Sequence, residues 1–377
     1  MIYLDNSATT KPCKTAVDAI NNALTENWGN PSSTYSHGIN AFQIIEDARK
    51  TVAASIGAKA DEIFFTGSGT EANNLAIFGC ANALKKRGKK IVSTTIEHPS
   101  VLEALKKLKD DGFEVVLLSP DKNGQIKEDD LRKEIDQNTI LVSIMLVNNE
   151  IGSIQPISLA SKIIKEKNSP ALLHCDAVQG FGKLPIKVSN LGVDLMSASG
   201  HKIHASKGIG FLYKKSGVNV HPVIYGGGQE KGLRSGTESV PLIAGLCAAV
   251  KALPDPNKQL TLQQEFYSKA KEILSQVDCI KINSPENALP FIINVSIDGY
   301  KSEPMLNALA LENIFVSKGS ACAKGHRSYV LSEIGLSNDR IDSAIRISFS
   351  RENTLEEIET LKNAITKITE KMRRFKR

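Results

Sequence analysis

The chain has 377 residues, of which 41% are apolar, 23% charged and 5% aromatic. That is the profile of an ordinary globular protein with one large domain and a smaller one, and it excludes a disordered or low-complexity chain. The net charge of +6 comes partly from Lys371, Arg373, Arg374, Lys376 and Arg377, and without a stripe of basic and aromatic residues this reads as a solvated helix end, with no nucleic-acid contact expected.

The start, Met1-Ile2-Tyr3-Leu4-Asp5-Asn6, lacks a basic segment leading into an apolar run, and no stretch approaches the ~18 continuous apolar residues of a membrane span. Neither a secretory leader nor a membrane contact is expected. The six cysteines, Cys13, Cys80, Cys175, Cys247, Cys279 and Cys322, include no Cys-x-x-Cys pair, so no metal site is expected. Unpaired thiols fit a reducing cytoplasm.

In chain order, Ile63-Phe64-Phe65 leads into Thr66-Gly67-Ser68-Gly69-Thr70-Glu71-Ala72-Asn73-Asn74 and then a helical pattern. A glycine-rich turn opening a helix offers free N–H groups to an anion such as one phosphate, although the same residues also cap ordinary helices. The dinucleotide and Walker fingerprints are absent. The strand-like run Lys90 to Ile96 leads to Glu97-His98-Pro99 and a helical stretch, Ser100 to Lys109. Glu114 to Ser119 reads as the next strand. Ile140 to Val147 follows and ends at Asn148-Asn149-Glu150, where consecutive amides suit a polar ligand. After the helical stretch Ile157 to Lys167, Ala171 to Cys175 ends in Asp176, either a helix cap or an anion facing a protonated ring nitrogen. Asp194 to Ala198 leads into Ser199-Gly200-His201-Lys202, and Gly208 to Tyr213 is the last run. A free lysine titrates at about 10.4, so Lys202 needs desolvation or a nearby cation to act as a nucleophile; by itself it reads as a surface lysine.

Strand and helix in alternation predict an α/β fold, a mostly parallel sheet between helices, in which ligands bind at the carboxyl ends of the strands. Five strand exits each present a polar group suited to one ligand, and their convergence carries more weight than any one of them. Leu253-Pro254-Asp255-Pro256-Asn257 marks a boundary: residues 16–255 form the large domain, and 1–15 with 256–377 the smaller α/β domain. Within the latter, Phe291 to Ile297 reads as a strand. Leu355, Ile358, Leu361, Ile365, Ile368 and Met372 share one face of a final helix, with Asn353 and Glu356 as its start.

Taken together, these segments resemble the cysteine desulfurases, fold-type I pyridoxal-phosphate enzymes of the class V aminotransferase group. The resemblance runs from Tyr3-Leu4-Asp5-Asn6-Ser7-Ala8-Thr9-Thr10 to Ala344-Ile345-Arg346-Ile347-Ser348. It is carried by Gly29-Asn30-Pro31-Ser32-Ser33, Thr70-Glu71-Ala72-Asn73-Asn74, Glu97-His98, Val147-Asn148-Asn149-Glu150-Ile151-Gly152, Ser199-Gly200-His201-Lys202, Gly226-Gly227-Gly228-Gln229-Glu230, Arg234-Ser235-Gly236-Thr237 and Gly319-Ser320-Ala321-Cys322. Departures are Tyr35 where the family often has His, Lys318 where a small residue is common, and His204-Ala205-Ser206 after the lysine motif.

The resemblance implies pyridoxal 5'-phosphate as cofactor, bound covalently by Lys202, which later moves the substrate α-proton. It pairs Asp176 with the pyridinium nitrogen and stacks His98 on the ring as a catalytic residue with a part in proton transfer. Gln179 and Asn149 touch the ring oxygen or the substrate. Gly69, Thr70, Ser199 and His201 hold the phosphate, joined by Thr237 from a neighbouring subunit, hence a homodimer. Arg346 grips the substrate carboxylate of L-cysteine through a two-pronged guanidinium. Cys322 takes the sulfur as a persulfide, leaving alanine, and passes it to an acceptor protein such as an iron–sulfur scaffold or a transfer-RNA-thiolation enzyme. Its glycine-bracketed setting suits a reactive thiol better than an apolar filler, and Lys318 and Lys324 would favour the thiolate. Selenocysteine lyase or another β-elimination on the same fold is the alternative. A cofactor-bearing docking scaffold is a third reading, which intact Lys202, Asp176, His98 and Cys322 oppose.

Overall fold

The computed structural model describes residues 1–319, 327–371 and 374. The chain opens with a two-residue strand, β1 (Ile2–Tyr3). Seven strands then build the main sheet: β2 (Ile63–Thr66), β3 (Lys90–Thr94), β4 (Glu114–Leu118), β5 (Thr139–Met145), β6 (Leu172–Asp176), β7 (Leu195–Ser199) and β8 (Gly210–Lys214). Their spatial order is β2-β8-β7-β6-β5-β3-β4. From β7 to β4 every pairing is parallel, while β8 runs antiparallel to both β7 and β2.

Residue patterning explains the sheet. Every residue of β5 is buried, as expected of a strand covered on both faces. Successive side chains along the strands enter opposite cores. Phe64, Ile91, Leu141, Leu195 and Leu212 pack beneath the helices Gly69–Leu84 and Pro99–Asp110. Their neighbours Phe65, Val92, Val142, Met196 and Phe211 pack beneath Ser36–Ile56, Ile157–Glu166 and Val240–Lys251. The edge strand β4 leaves Glu114 and Leu117 exposed.

A further core forms around β9 (Ile280–Ile282), β10 (Ile292–Ile297), β11 (Ile314–Phe315) and β12 (Ala344–Ser348). In an antiparallel sheet β10 lies between β9 and β12, and Val295, Ile345 and Ile347 pack against Ile358, Leu361 and Ile365 of the helix Leu355–Lys371. Strand β1 pairs in parallel with β11, and Leu4 enters this core.

Two expectations about helix starts are sharpened. The segment Leu253 to Asn257 begins a helix directly: the Asp255 carboxylate accepts from the backbone N–H of Asn257 (3.1 Å) and Lys258 (3.0 Å), and Pro256 occupies the first position of Pro256–Ser275. The final helix is not started by Asn353 with Glu356. It begins at Leu355, so the reaching carboxylate is Glu357, which accepts from Thr354 N–H and Asn353 Nδ2. Asn353 Oδ1 instead accepts from the Ser350 N–H. Met372 lies outside the described residues, as do Arg373, Lys376 and Arg377 of the basic end.

Candidate active site

The parallel strands end around one cavity of about 260 Å³. Because neighbouring parallel strands point the same way, the residues that follow them gather on one side of the sheet. Gly69 and Thr70 line the cavity from the start of the helix after β2, and His98 from the segment after β3. Asn149 follows β5, Asp176 ends β6 with Gln179 just beyond, and Ser199, His201 and Lys202 stand at the exit of β7. Arg346 reaches the same space from β12. Ten residues singled out in the sequence thus share one cavity. Thr237 does not line it and borders a separate cavity with Arg234 and Glu238. Cys322 lies outside the described residues, and Gly319 lines the cavity.

The anion end is built from a helix start. Ser68 Oγ accepts from the Glu71 N–H (3.1 Å), capping Gly69–Leu84. A Cβ at Gly69 would lie 2.7 Å from Val178 Cγ2, so only glycine lets this turn close against the segment after β6. His201 adds an imidazole that burial, with Lys202, Lys207 and Lys183 nearby, pushes down to about 4, leaving it neutral at ordinary pH.

A polar chain links Asp176 to His98. Asn73 Nδ2 donates to Asp176 Oδ2 (2.7 Å) and to Ser100 Oγ (2.9 Å), and Ser100 Oγ lies 2.8 Å from His98 Nδ1. The Ser100 N–H also donates to Nδ1 (3.1 Å), which places the proton of the neutral ring on Nε2. Burial, aided by Lys202 and opposed by Asp176, holds this imidazole below its usual range. Asp176 Oδ1 accepts from the Val178 N–H (2.9 Å), so both of its oxygens are oriented. No helix begins at Asp176, so the helix cap anticipated there is absent and its Oδ1 holds a local turn instead.

Lys202 Nζ donates to the carbonyls of Ser7 (2.6 Å) and Ala8 (2.7 Å), drawing the N-terminal segment across the cavity. Gln179 Nε2 donates to the same Ser7 carbonyl (3.0 Å). Arg346 is almost fully buried: Nη1 donates to the carbonyls of Asn149 and Gly319, both at 2.8 Å, and Nη2 to Asp5 Oδ1 (2.7 Å). Three of its five N–H donors are engaged, and Nε is buried without a partner. The donors it has left for a ligand are Nε and the second hydrogen of Nη2.

Ser7 Oγ, Asn73 Oδ1 and Asn149 Oδ1 are likewise buried without partners on residues lining this space. Buried polar atoms are seldom left unpaired, so orphans gathered around one cavity mark a polar ligand. An anion cradle, a fixed carboxylate, an amine and an imidazole fit a phosphorylated, protonated heteroaromatic ring.

Burial disfavours other thiols as nucleophiles: it pushes Cys80 and Cys175, and to a lesser degree Cys279, above the ordinary thiol range. Lys318 is paired with Glu303 Oε2 (3.1 Å). Sequence reasoning gave no role to Asn73, to the Ser7 and Ala8 carbonyls, or to Glu150, whose buried carboxyl accepts from Ser328 Oγ (2.5 Å) beside Arg346. Asn73 stood within a quoted motif, one turn into its helix. The backbone carbonyls carry no side-chain signal at all.

The class-V aminotransferase family pattern matches residues 2–361. Over 99% of its length the chain is 41% identical to "Cysteine desulfurase IscS" of Dictyoglomus turgidum, covering 95% of that protein. It is 39% identical to "Cysteine desulfurase IscS" of Methanosarcina thermophila, with 99% and 93% covered. Among solved structures, a "NIFS-LIKE PROTEIN" superposes with a TM-score of 0.93 at 37% identity, covering 98% of this chain and all of the other. "SspA in complex with cysteine" superposes with a TM-score of 0.83 at 34% identity, covering 93% and 99%.

Proposed function

The chain belongs to the class-V aminotransferase family and, within it, to the cysteine desulfurases, and on that premise we propose how its residues divide the work of taking sulfur from L-cysteine. The observation that carries the reading is the gathering of Lys202, Asp176, His98 and Arg346 around one cavity whose buried polar atoms lack partners. The enzyme depends on pyridoxal 5'-phosphate, which when bound supplies an electron sink for charge developing at the substrate α-carbon.

Gly69, Thr70, Ser199 and His201 hold the phosphate at the capped helix start. Asp176, fixed by Asn73 and the Val178 N–H, keeps the ring nitrogen protonated. Lys202 anchors the cofactor and afterwards moves the α-proton. Its amine leaves the Ser7 and Ala8 carbonyls to do so. His98, with its proton on Nε2, would face the bound ring, and Asn149 and Gln179 would address the ring oxygen or the substrate. Arg346 binds the substrate carboxylate through its remaining donors. Cys322, as thiolate, attacks the substrate sulfur; the carbon–sulfur bond breaks, a persulfide forms on Cys322, and protonation of the remaining carbon gives alanine.

Thr237 borders its own cavity, which supports the reading that it serves the phosphate of a second copy in a homodimer. The persulfide passes to an acceptor protein, either an iron–sulfur scaffold or a transfer-RNA-thiolation enzyme. No helix among the described residues is long and apolar enough to cross a membrane.

The test is incubation with L-cysteine and, separately, L-selenocysteine, measuring alanine and protein-bound persulfide. Cys322→Ala is expected to retain the yellow cofactor and lose persulfide and sulfide release. Unchanged turnover would sink the sulfur-carrier role. Lys202→Ala is expected to lose the normal cofactor absorbance. Alanine from selenocysteine alone would favour the lyase.

A further inference from the structure

Behind the cavity sits a cation that the reaction does not use. Lys183 is buried, and among the described residues it has no carboxylate partner. Retaining an ammonium in such a place is unfavourable without a return. Burial, with Lys202 and Arg346 nearby, pushes its amine down to about 7. Its Nζ donates to Gln179 Oε1 (3.1 Å) and lies 5.8 Å from the Phe291 ring centroid. On the other side of the carboxamide, Gln179 Nε2 donates to the Ser7 carbonyl, which also accepts from Lys202 Nζ.

A glutamine side chain is nearly symmetric in shape, and only its partners decide which end carries the donor. An ammonium has donors alone, and a neutral amine still offers two N–H groups. The Ser7 carbonyl is acceptor alone. At a charged Lys183 a turned-over amide would set donor against donor, and at the Ser7 carbonyl it would set acceptor against acceptor in either charge state of the lysine. Nε2 has two hydrogens and gives one to Ser7, which leaves one for an acceptor in the cavity.

We propose that Lys183 is a positioning residue that locks the Gln179 carboxamide with its N–H donor toward the ring oxygen of the bound cofactor. The proposal rests on reading the cavity as the cofactor site. A donor at that oxygen stabilises its anionic form and so lowers the pH at which the bound chromophore loses its proton. Lys202, Arg346, His201 and His204 also sense or face this charge.

The experiment follows the visible absorbance of the holoenzyme against pH in Lys183→Met and Lys183→Arg, each in the wild-type and Gln179→Ala backgrounds. Lys183→Met is expected to raise the midpoint by about one pH unit, the size of one hydrogen bond to a charged oxygen. Lys183→Arg is expected to restore most of it. With Gln179→Ala the Lys183→Met shift should fall below about a third of its former size, because the coupled partner is gone. Equal shifts in both backgrounds, or none in the wild type, overturn the proposal, the former because the charge then acts through space. If Lys183→Met does not fold, Lys183→Leu, which likewise lacks a donor, is read by the same criterion. A wild-type chain with no Lys202-dependent visible band overturns the cofactor reading itself, and this proposal with it.

Discussion

Glu97 precedes His98 and carries its carboxyl wholly inside the protein. Oε1 accepts from the Met145 N–H (2.9 Å) and the Thr94 hydroxyl (2.8 Å), while Oε2 is buried without a partner. Burial, opposed by those two donors and reinforced by the Asp176 charge, pushes it from 4.5 up to about 8. The folded chain therefore holds a proton that the unfolded chain has released. Between pH 4.5 and about 8 this group makes the protein less stable as pH rises, and above that the loss levels off. Glu97→Gln, which cannot ionise, is expected to remove that slope. At pH 8 the gain should be on the order of 4 kcal/mol, vanishing near pH 4.5. Parallel urea-unfolding profiles against pH for the two proteins would refute it. In the sequence Glu97 was legible only as half of a Glu-His pair, because nothing in the local residues says that the carboxyl faces inward. His98, Asp176 and Lys202 were legible because each follows a strand-like run, and a strand exit has a known place in this fold.

At the scale of elements, apolar runs and caps did most of the specifying. The Asp255 carboxylate caps Pro256–Ser275 from a largely exposed position. Asp255→Ala is expected to lower stability by about 1 kcal/mol, read from the urea midpoint, with persulfide formation unchanged. A loss of activity instead would mean that this segment acts on the site. The strand-like runs were readable because β5, covered on both faces, holds Ile, Leu and Val in succession and β6 opens on two leucines. The start of the last helix was misread by one residue, since Asn353 and Thr354 are both good capping residues. Their difference lies in tertiary contacts: Asn353 Nδ2 also donates to the Tyr3 carbonyl (3.0 Å). The orientation of the Gln179 amide is likewise invisible locally, although Lys183 stands four residues on, one turn away.

Across the whole molecule, the N-terminal segment ties the two sets of elements together. β1 pairs with β11, Asp5 bonds Arg346 (2.7 Å), and the next carbonyls hold Lys202. Exposed Trp28, Tyr35, Phe42 and Tyr225 leave apolar surface suited to a second copy. Light scattering is expected to give twice the chain mass, and Trp28→Asp with Tyr225→Asp to give a monomer that retains cofactor less well for want of Thr237. A wild-type monomer with full cofactor affinity would sink the shared site.

By itself the sequence determined the alternation of strand and helix, the burial of both sheet faces and the identity of the groups at each strand exit, because periodicity and residue chemistry are local properties. Only the tertiary structure decided which of those groups share a cavity, that Arg346 has most of its donors already engaged, that two backbone carbonyls hold Lys202, and that Lys183 stands behind Gln179. Those facts depend on residues far apart in the chain and on atoms common to every residue, so no local pattern encodes them.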